Sequence, residues 1–186
     1  MRVTRILSAD QDLVTRFLAA LGKGLVAAGH SNVARPGFFI YASNFIQEYL
    51  EPVYFRKEEV LLRALQDCGF PGDEGPVGGM REEYAKCRLA SKMLIEGAKA
   101  WQAGDETGRP EVVWASSEYT GILRHHFEQL RNLINPLLEQ WITPDDEQRI
   151  AEELNLLAFE EHEAEPVDKY VKIVQMLEEE LHDWDR

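Results

Sequence analysis

The chain has 186 residues with 45% apolar side chains, so it is long enough and apolar enough to fold as one domain around a core. Its 33 Asp and Glu residues outnumber its 20 Lys and Arg residues and give a formal net charge of −13, which disfavours nucleic acids and anionic membranes as partners. No apolar run reaches the roughly 20 residues that span a bilayer, and two cysteines are too few for a disulfide framework, so we expect a cytoplasmic protein with reduced thiols.

Apolar residues recur at spacings of three and four along almost the whole chain, and this spacing predicts an all-α protein. Four long helices come first. Their predicted boundaries are Ser8 or Asp10 to Ala28, Gly37 to Asp67, Val77 to Ala103 and Glu111 to Trp141. Pro52 lies well inside the second helix, where a proline removes a backbone hydrogen bond, so we expect a kink or a bulge there.

Two shorter helices follow. Thr143 is the predicted N-cap of the fifth helix, with Pro144 at its first position. That helix is expected to end at about His162, and Pro166 is expected to open a sixth helix that reaches Trp184.

Four long helices joined by short turns favour an up-down-up-down bundle, which we assign to residues 1–143. Residues 144–186 are expected to form a helical extension. Its apolar stripe either packs on the bundle or forms a contact between two copies of the chain, and we favour packing.

Each long helix carries polar side chains at mid-length on its predicted inner face. Leaving such groups buried and unpaired would cost about 1–3 kcal/mol each. We therefore expect them to contact one another, a water, a metal or a ligand. They are Gln11, Tyr54, Glu58, Tyr84, Arg88 and His126.

Several segments of the chain resemble the hemerythrin-like (HHE cation-binding) family, and the resemblance covers roughly residues 7–163. They are Lys57-Glu58-Glu59, Gly69-Phe70-Pro71, Gly75-Pro76, and Tyr119, Leu123, Arg124, His126 and Pro136 of the fourth helix. The resemblance implies a four-helix bundle that binds two irons through histidines and carboxylates from all four helices.

Most of the ligand positions that this resemblance implies are substituted here. Glu58 and His126 are kept. Two irons need more than one histidine and one glutamate for coordination and charge balance. We therefore expect a degenerate site that does not form an oxygen-binding di-iron centre. The substituted positions carry Gln11, Tyr54 and Tyr84 in place of histidines and Leu130 in place of a carboxylate.

Two interpretations of the remaining polar residues stay open. In one, Glu58 and His126 hold a single iron or another divalent metal, with Tyr54 or Tyr84 as a phenolate ligand. In the other, which we favour, no cofactor is bound, Glu58 pairs with Arg88, and the tyrosines fill the space of the irons.

The same residues also suggest a pocket for a small-molecule ligand in the bundle core, lined by Gln11, Tyr54, Tyr84 and Arg88. The position of Gln11 depends on the register of the first helix. A register shifted by one residue would bring Asp10 or Asp12 to the site instead. His125 lies about 100° around the helix from the inner face and is expected to face solvent.

The function that we expect is that of a non-enzymatic binding or regulatory protein. One alternative is a metal-binding protein with a single ion at Glu58, His126 and a tyrosine. A second is a structural module that interacts, or dimerises, through its C-terminal helix. A third is a cofactor-free enzyme with Glu58 and His126 as an acid–base pair.

Overall fold

The computed structural model describes residues 6–164 and 167–184, and all regular secondary structure within these residues is helical. The prediction of an all-α protein is therefore confirmed. None of the described helices is long and apolar enough to cross a lipid bilayer. The helices are α1 (Ser8–His30), α2 (Pro36–Phe45, Ile46–Tyr54 and Phe55–Asp67 in succession), α3 (Gly75–Gln102), α4 (Gly108–Gln129, Leu130–Ile134 and Asn135–Trp141 in succession), α5 (Pro144–Ala164) and α6 (Val167–Trp184).

The middle segments of α2 and α4, Ile46–Tyr54 and Leu130–Ile134, are π-helical. Pro52 lies inside the first of them, and the wider turn accommodates a residue that has no N–H and whose ring would clash with the preceding turn. The bulge predicted at Pro52 is therefore confirmed. The second π-helical segment ends just before Pro136.

Helices α1 to α4 form a closed ring of packed neighbours. Helix α3 packs along α4, α4 along α1, α1 against α2, and the first segment of α2 against α3. Aromatic rings fill much of the space between them: the rings of Phe17 and Phe45 stack with their centroids 4.5 Å apart. This is a four-helix bundle with its core on the common axis.

Helices α5 and α6 pack on the outside of this bundle. Helix α5 lies against the last segment of α2, and α6 lies against α1 and the first segment of α2. Helix α5 begins as predicted, because the Thr143 hydroxyl accepts a hydrogen bond from the Asp146 backbone N–H at 3.2 Å. Pro166, the predicted start of the last helix, lies outside the described residues. The apolar stripe of α6 is buried at Tyr170, Val174, Leu177 and Leu181.

Candidate functional site in the bundle core

The centre of the bundle contains a buried carboxylate paired with a buried imidazole. Glu58 on α2 and His126 on α4 are both fully buried. Their Oε2 and Nε2 atoms lie 2.6 Å apart. The Tyr84 hydroxyl on α3 donates a second hydrogen bond to the same Glu58 oxygen, at 3.1 Å. Three helices therefore converge on one carboxylate.

A second carboxylate, Glu83 on α3, extends this pair toward the surface. Its Oε2 atom lies 3.0 Å from His126 Nδ1, and its Oε1 atom forms a hydrogen bond with Nδ1 of His125. The His125 side chain is 58% exposed and lines a cleft of about 420 Å³ between α3 and α4. A continuous series of hydrogen bonds thus runs from this cleft through Glu83 and His126 to Glu58.

Both ring nitrogens of His126 face carboxylates, and this sets its charge. Burial lowers the pKa of His126, but the negative charge of Glu58 and the hydrogen bonds that His126 donates to Glu58 and Glu83 outweigh burial and raise the pKa to about 9. Burial raises the pKa of Glu83, but hydrogen bonds from His126 and His125 outweigh it, and the net shift is downward. At neutral pH the imidazolium of His126 therefore donates a hydrogen bond to each carboxylate.

Two polar atoms at the centre of the site have no hydrogen-bond partner among the described residues. They are the hydroxyl of Tyr54 and the Oε1 atom of Glu58. Burial and the negative charge of Glu58 raise the pKa of Tyr54 well above its usual value, while the nearby Gln11 amide has a smaller, opposite effect. Burial and Glu58 raise the pKa of Tyr84 in the same way. Both phenols are therefore held in the neutral form.

Five of the six residues predicted for the site lie together: Gln11, Tyr54, Glu58, Tyr84 and His126. Gln11 lies next to Tyr54. Asp10 instead contacts two other residues of α2, Tyr49 and Lys57. Asp12 is exposed.

Arg88 does not join the site, and its predicted pairing with Glu58 is wrong. Arg88 is exposed at the edge of α3. Burial raises the pKa of Glu51, and the charge of Arg88 offsets only part of that rise. A guanidinium at the edge of a helix stays in water at little cost, whereas burying it beside Glu58 would require full desolvation. The partner that balances Glu58 is His126 instead.

Two residues of the network were missed by sequence reasoning. Glu83 precedes Tyr84, at the border of the apolar stripe of α3, and a charged residue at such a border is ordinarily solvated. His125 is exposed as expected, but it also bonds to Glu83. The sequence contains one signal for the contact between Glu83 and the two histidines. It has two adjacent histidines on the fourth helix and two adjacent glutamates, Glu82 and Glu83, on the third.

The donor set does not fit a pair of irons. His126 is the only imidazole at the centre of the described site, and both of its nitrogens are already bonded to carboxylates. Leu130, for which the resemblance implied a carboxylate, is a buried apolar side chain. In the described part of the chain, no three His, Cys, Asp or Glu side chains are arranged to hold a metal ion together.

Comparison with known proteins gives one match. No curated protein and no solved structure gave a significant match. The family model of the hemerythrin HHE cation-binding domain matches residues 2–138, which include the four bundle helices up to the last turn of α4. The chain therefore belongs to the hemerythrin HHE cation-binding domain family.

Proposed function

We propose that this chain is a hemerythrin-like protein with a degenerate di-iron site, and that it is a binding or regulatory protein without enzymatic activity or oxygen carriage. In this proposal a network of hydrogen-bonded acidic and basic side chains takes the place of the metal centre. The observation that carries it is the engagement of both ring nitrogens of His126 by carboxylates.

This engagement balances the charge of the site with the protein's own groups. A histidine binds a metal through a nitrogen that carries no proton, whereas the imidazolium of His126 carries a proton on each nitrogen. One positive charge between Glu58 and Glu83 supplies much of the compensation that a cation would otherwise supply.

The tyrosines support the same conclusion. Tyr54 and Tyr84 occupy positions where the family has histidines, and a phenol binds a metal well only as a phenolate. The raised pKa of each phenol works against that ionisation. Tyr84 instead donates its proton to Glu58 in a hydrogen bond.

The test is the metal content of the full chain, produced with added iron and never exposed to chelator. We expect mass spectrometry to find metal far below one ion per chain, and no absorption band of an oxo-bridged iron pair. Two irons per chain with that absorption would overturn the proposal.

A second candidate function is the binding of one metal ion by Glu58, His126 and a tyrosine. The unpaired buried atoms of Tyr54 and Glu58 favour it, since a cation would satisfy both. It predicts close to one ion per chain and, with iron, a phenolate-to-iron colour. Glu58→Ala should then abolish binding, whereas the control Glu82→Ala, at an exposed glutamate of α3, should not.

A further inference from the structure

A groove of about 960 Å³ lies between α1 and α4, with the end of α6 closing one side. Its volume is in the range of pockets that bind small molecules. A second cleft of about 540 Å³ continues it along the same two helices and shares Leu25 and Ser117 with it. The apolar lining of the larger groove includes Leu25, Val26, Val33, Leu181 and Trp184.

Two glycines inside helices keep this groove open. A Cβ atom at Gly121 would meet nothing within 4 Å, and one at Gly22 would meet only the guanidinium of Arg124, at 3.5 Å. Glycine weakens a helix interior, and packing does not require it at either position. Gly24 is different, because a Cβ there would lie 2.3 Å from the ring of Phe38.

The charge of the groove is opposite to that of the whole chain. Its described lining contains Lys23, His30 and Arg124 but no Asp or Glu, in a chain that has 33 acidic residues. Lys23 and Arg124 are exposed and form no ion pair with the described residues. Two other exposed cations, Arg16 and Arg63, each pair with a glutamate of another helix.

The two cations also border the same stretch of the groove. The Arg124 guanidinium lies over Gly22, the neighbour of Lys23 in α1. A guanidinium presents a planar pair of donors that matches a carboxylate, and a neighbouring ammonium adds a third donor. An apolar floor with such donors at its edge favours a ligand with an apolar tail and an anionic head.

We propose that this groove binds a single-chain amphiphile with a carboxylate head group. The tail lies along the apolar floor between α1 and α4, and the carboxylate binds Lys23 and Arg124. This site shares no residue with the Glu58–His126 network. The test of amphiphile binding is therefore independent of the metal content of the core.

The experiment is calorimetric titration of the full chain with dodecanoate below its micelle concentration. We expect one molecule bound per chain with a dissociation constant on the order of micromolar. Dodecyltrimethylammonium, which has the same tail and the opposite charge, should not bind. Absence of dodecanoate binding, or equal binding of the cationic amphiphile, would overturn the proposal.

Variants inside and outside the groove test where dodecanoate binds. Gly121→Leu fills open space, so it should weaken dodecanoate binding at least tenfold without lowering the melting temperature. Gly79→Leu on α3, another helical glycine with open space around its Cβ, should bind like the parent chain. Lys23→Gln with Arg124→Gln should also weaken binding at least tenfold. Parent-like affinity in Gly121→Leu would show that the amphiphile binds elsewhere.

Discussion

Tyr84 and Tyr54 both lie close to the buried carboxylate of Glu58, and the hydroxyl of Tyr84 is the one with hydrogen-bond geometry to it. The Tyr84 hydroxyl donates to Glu58, while the Tyr54 hydroxyl is fully buried and has no partner among the described residues. A buried hydrogen bond to a charged group stabilises the fold, and an unpaired buried hydroxyl does the opposite. The two tyrosines therefore form a matched pair in which one side chain serves as the control for the other.

We expect Tyr84→Phe to lower the free energy of unfolding by about 1–3 kcal/mol, because Glu58 loses a buried donor. Tyr54→Phe is expected to be neutral or stabilising, because it removes an unpaired hydroxyl. Urea denaturation of both variants measures the difference. A large loss of stability in Tyr54→Phe would instead indicate that the hydroxyl binds a water or a metal ion.

The charge of His126 makes stability depend on pH. Its pKa is raised from 6.5 to about 9 in the folded chain, so its contribution is fully present below pH 6.5 and is lost as pH rises through 9. The pKa of Glu83 is lowered, so its contribution is present above its usual pKa and is lost as pH falls through its folded value. We expect the free energy of unfolding to decline from pH 6.5 to pH 9.

Urea titrations across this range test the pH dependence. His126→Gln should flatten the decline, while His182→Gln, at an exposed histidine of α6, should leave it unchanged. A parent chain whose stability stays level between pH 6.5 and 9 would show that His126 is neutral in the folded protein.

At the scale of elements, Lys57 connects three helices. Its ammonium lies 3.1 Å from Asp10 of α1 and 2.7 Å from Glu161 of α5, and all three side chains are mostly buried. Tyr49, one of the aromatic residues of α2, donates to the same Asp10 at 2.5 Å. Since two carboxylates share one cation here, its loss would leave both of them buried without a counter-charge.

We expect Lys57→Met to lower the free energy of unfolding by about 3–5 kcal/mol, the cost of breaking a buried ion pair. Arg63→Met is the matched control, because Arg63 joins the same two helices, α2 and α5, through an exposed pair with Glu153. That change should cost no more than about 1 kcal/mol. Equal effects of the two changes on denaturation midpoints would contradict this account.

The helices also show how far the sequence predicts this protein. The spacing of apolar residues predicted the helices. It also predicted that Tyr54, Glu58 and His126 face the core of the bundle, because the inner face of a helix follows from the local period of the chain. The π-helical hydrogen bonding around Pro52 depends on packing, so only a bulge of some kind could be expected there. Glu83 lies at the border of an apolar stripe, where burial depends on whether the facing helix offers a partner, and no local pattern contains that information.

At the scale of the whole molecule, α6 completes the core of a single chain. The Tyr170 ring lies 4.8 Å from that of Tyr49, and the Trp184 ring lies 5.0 Å from that of Phe38. The inner stripe of α6 is therefore occupied within the chain, which leaves its outer face, with Met176 about half exposed, for any contact between copies. We expect the full chain to be a monomer of 21.3 kDa.

Light scattering coupled to size-exclusion chromatography tests this expectation with two substitutions on α6. Val174→Asp introduces a charge at a fully buried position, so it should release α6, expose the apolar surface of α1 and α2 and cause self-association. Met176→Asp changes the exposed face and should leave the mass and the melting temperature unchanged. A dimer of the parent chain that Met176→Asp dissociates would instead place an interface between copies on the outer face of α6. A shared interface there would leave the packing of α6 on its own bundle intact, because the two faces of the helix are separate.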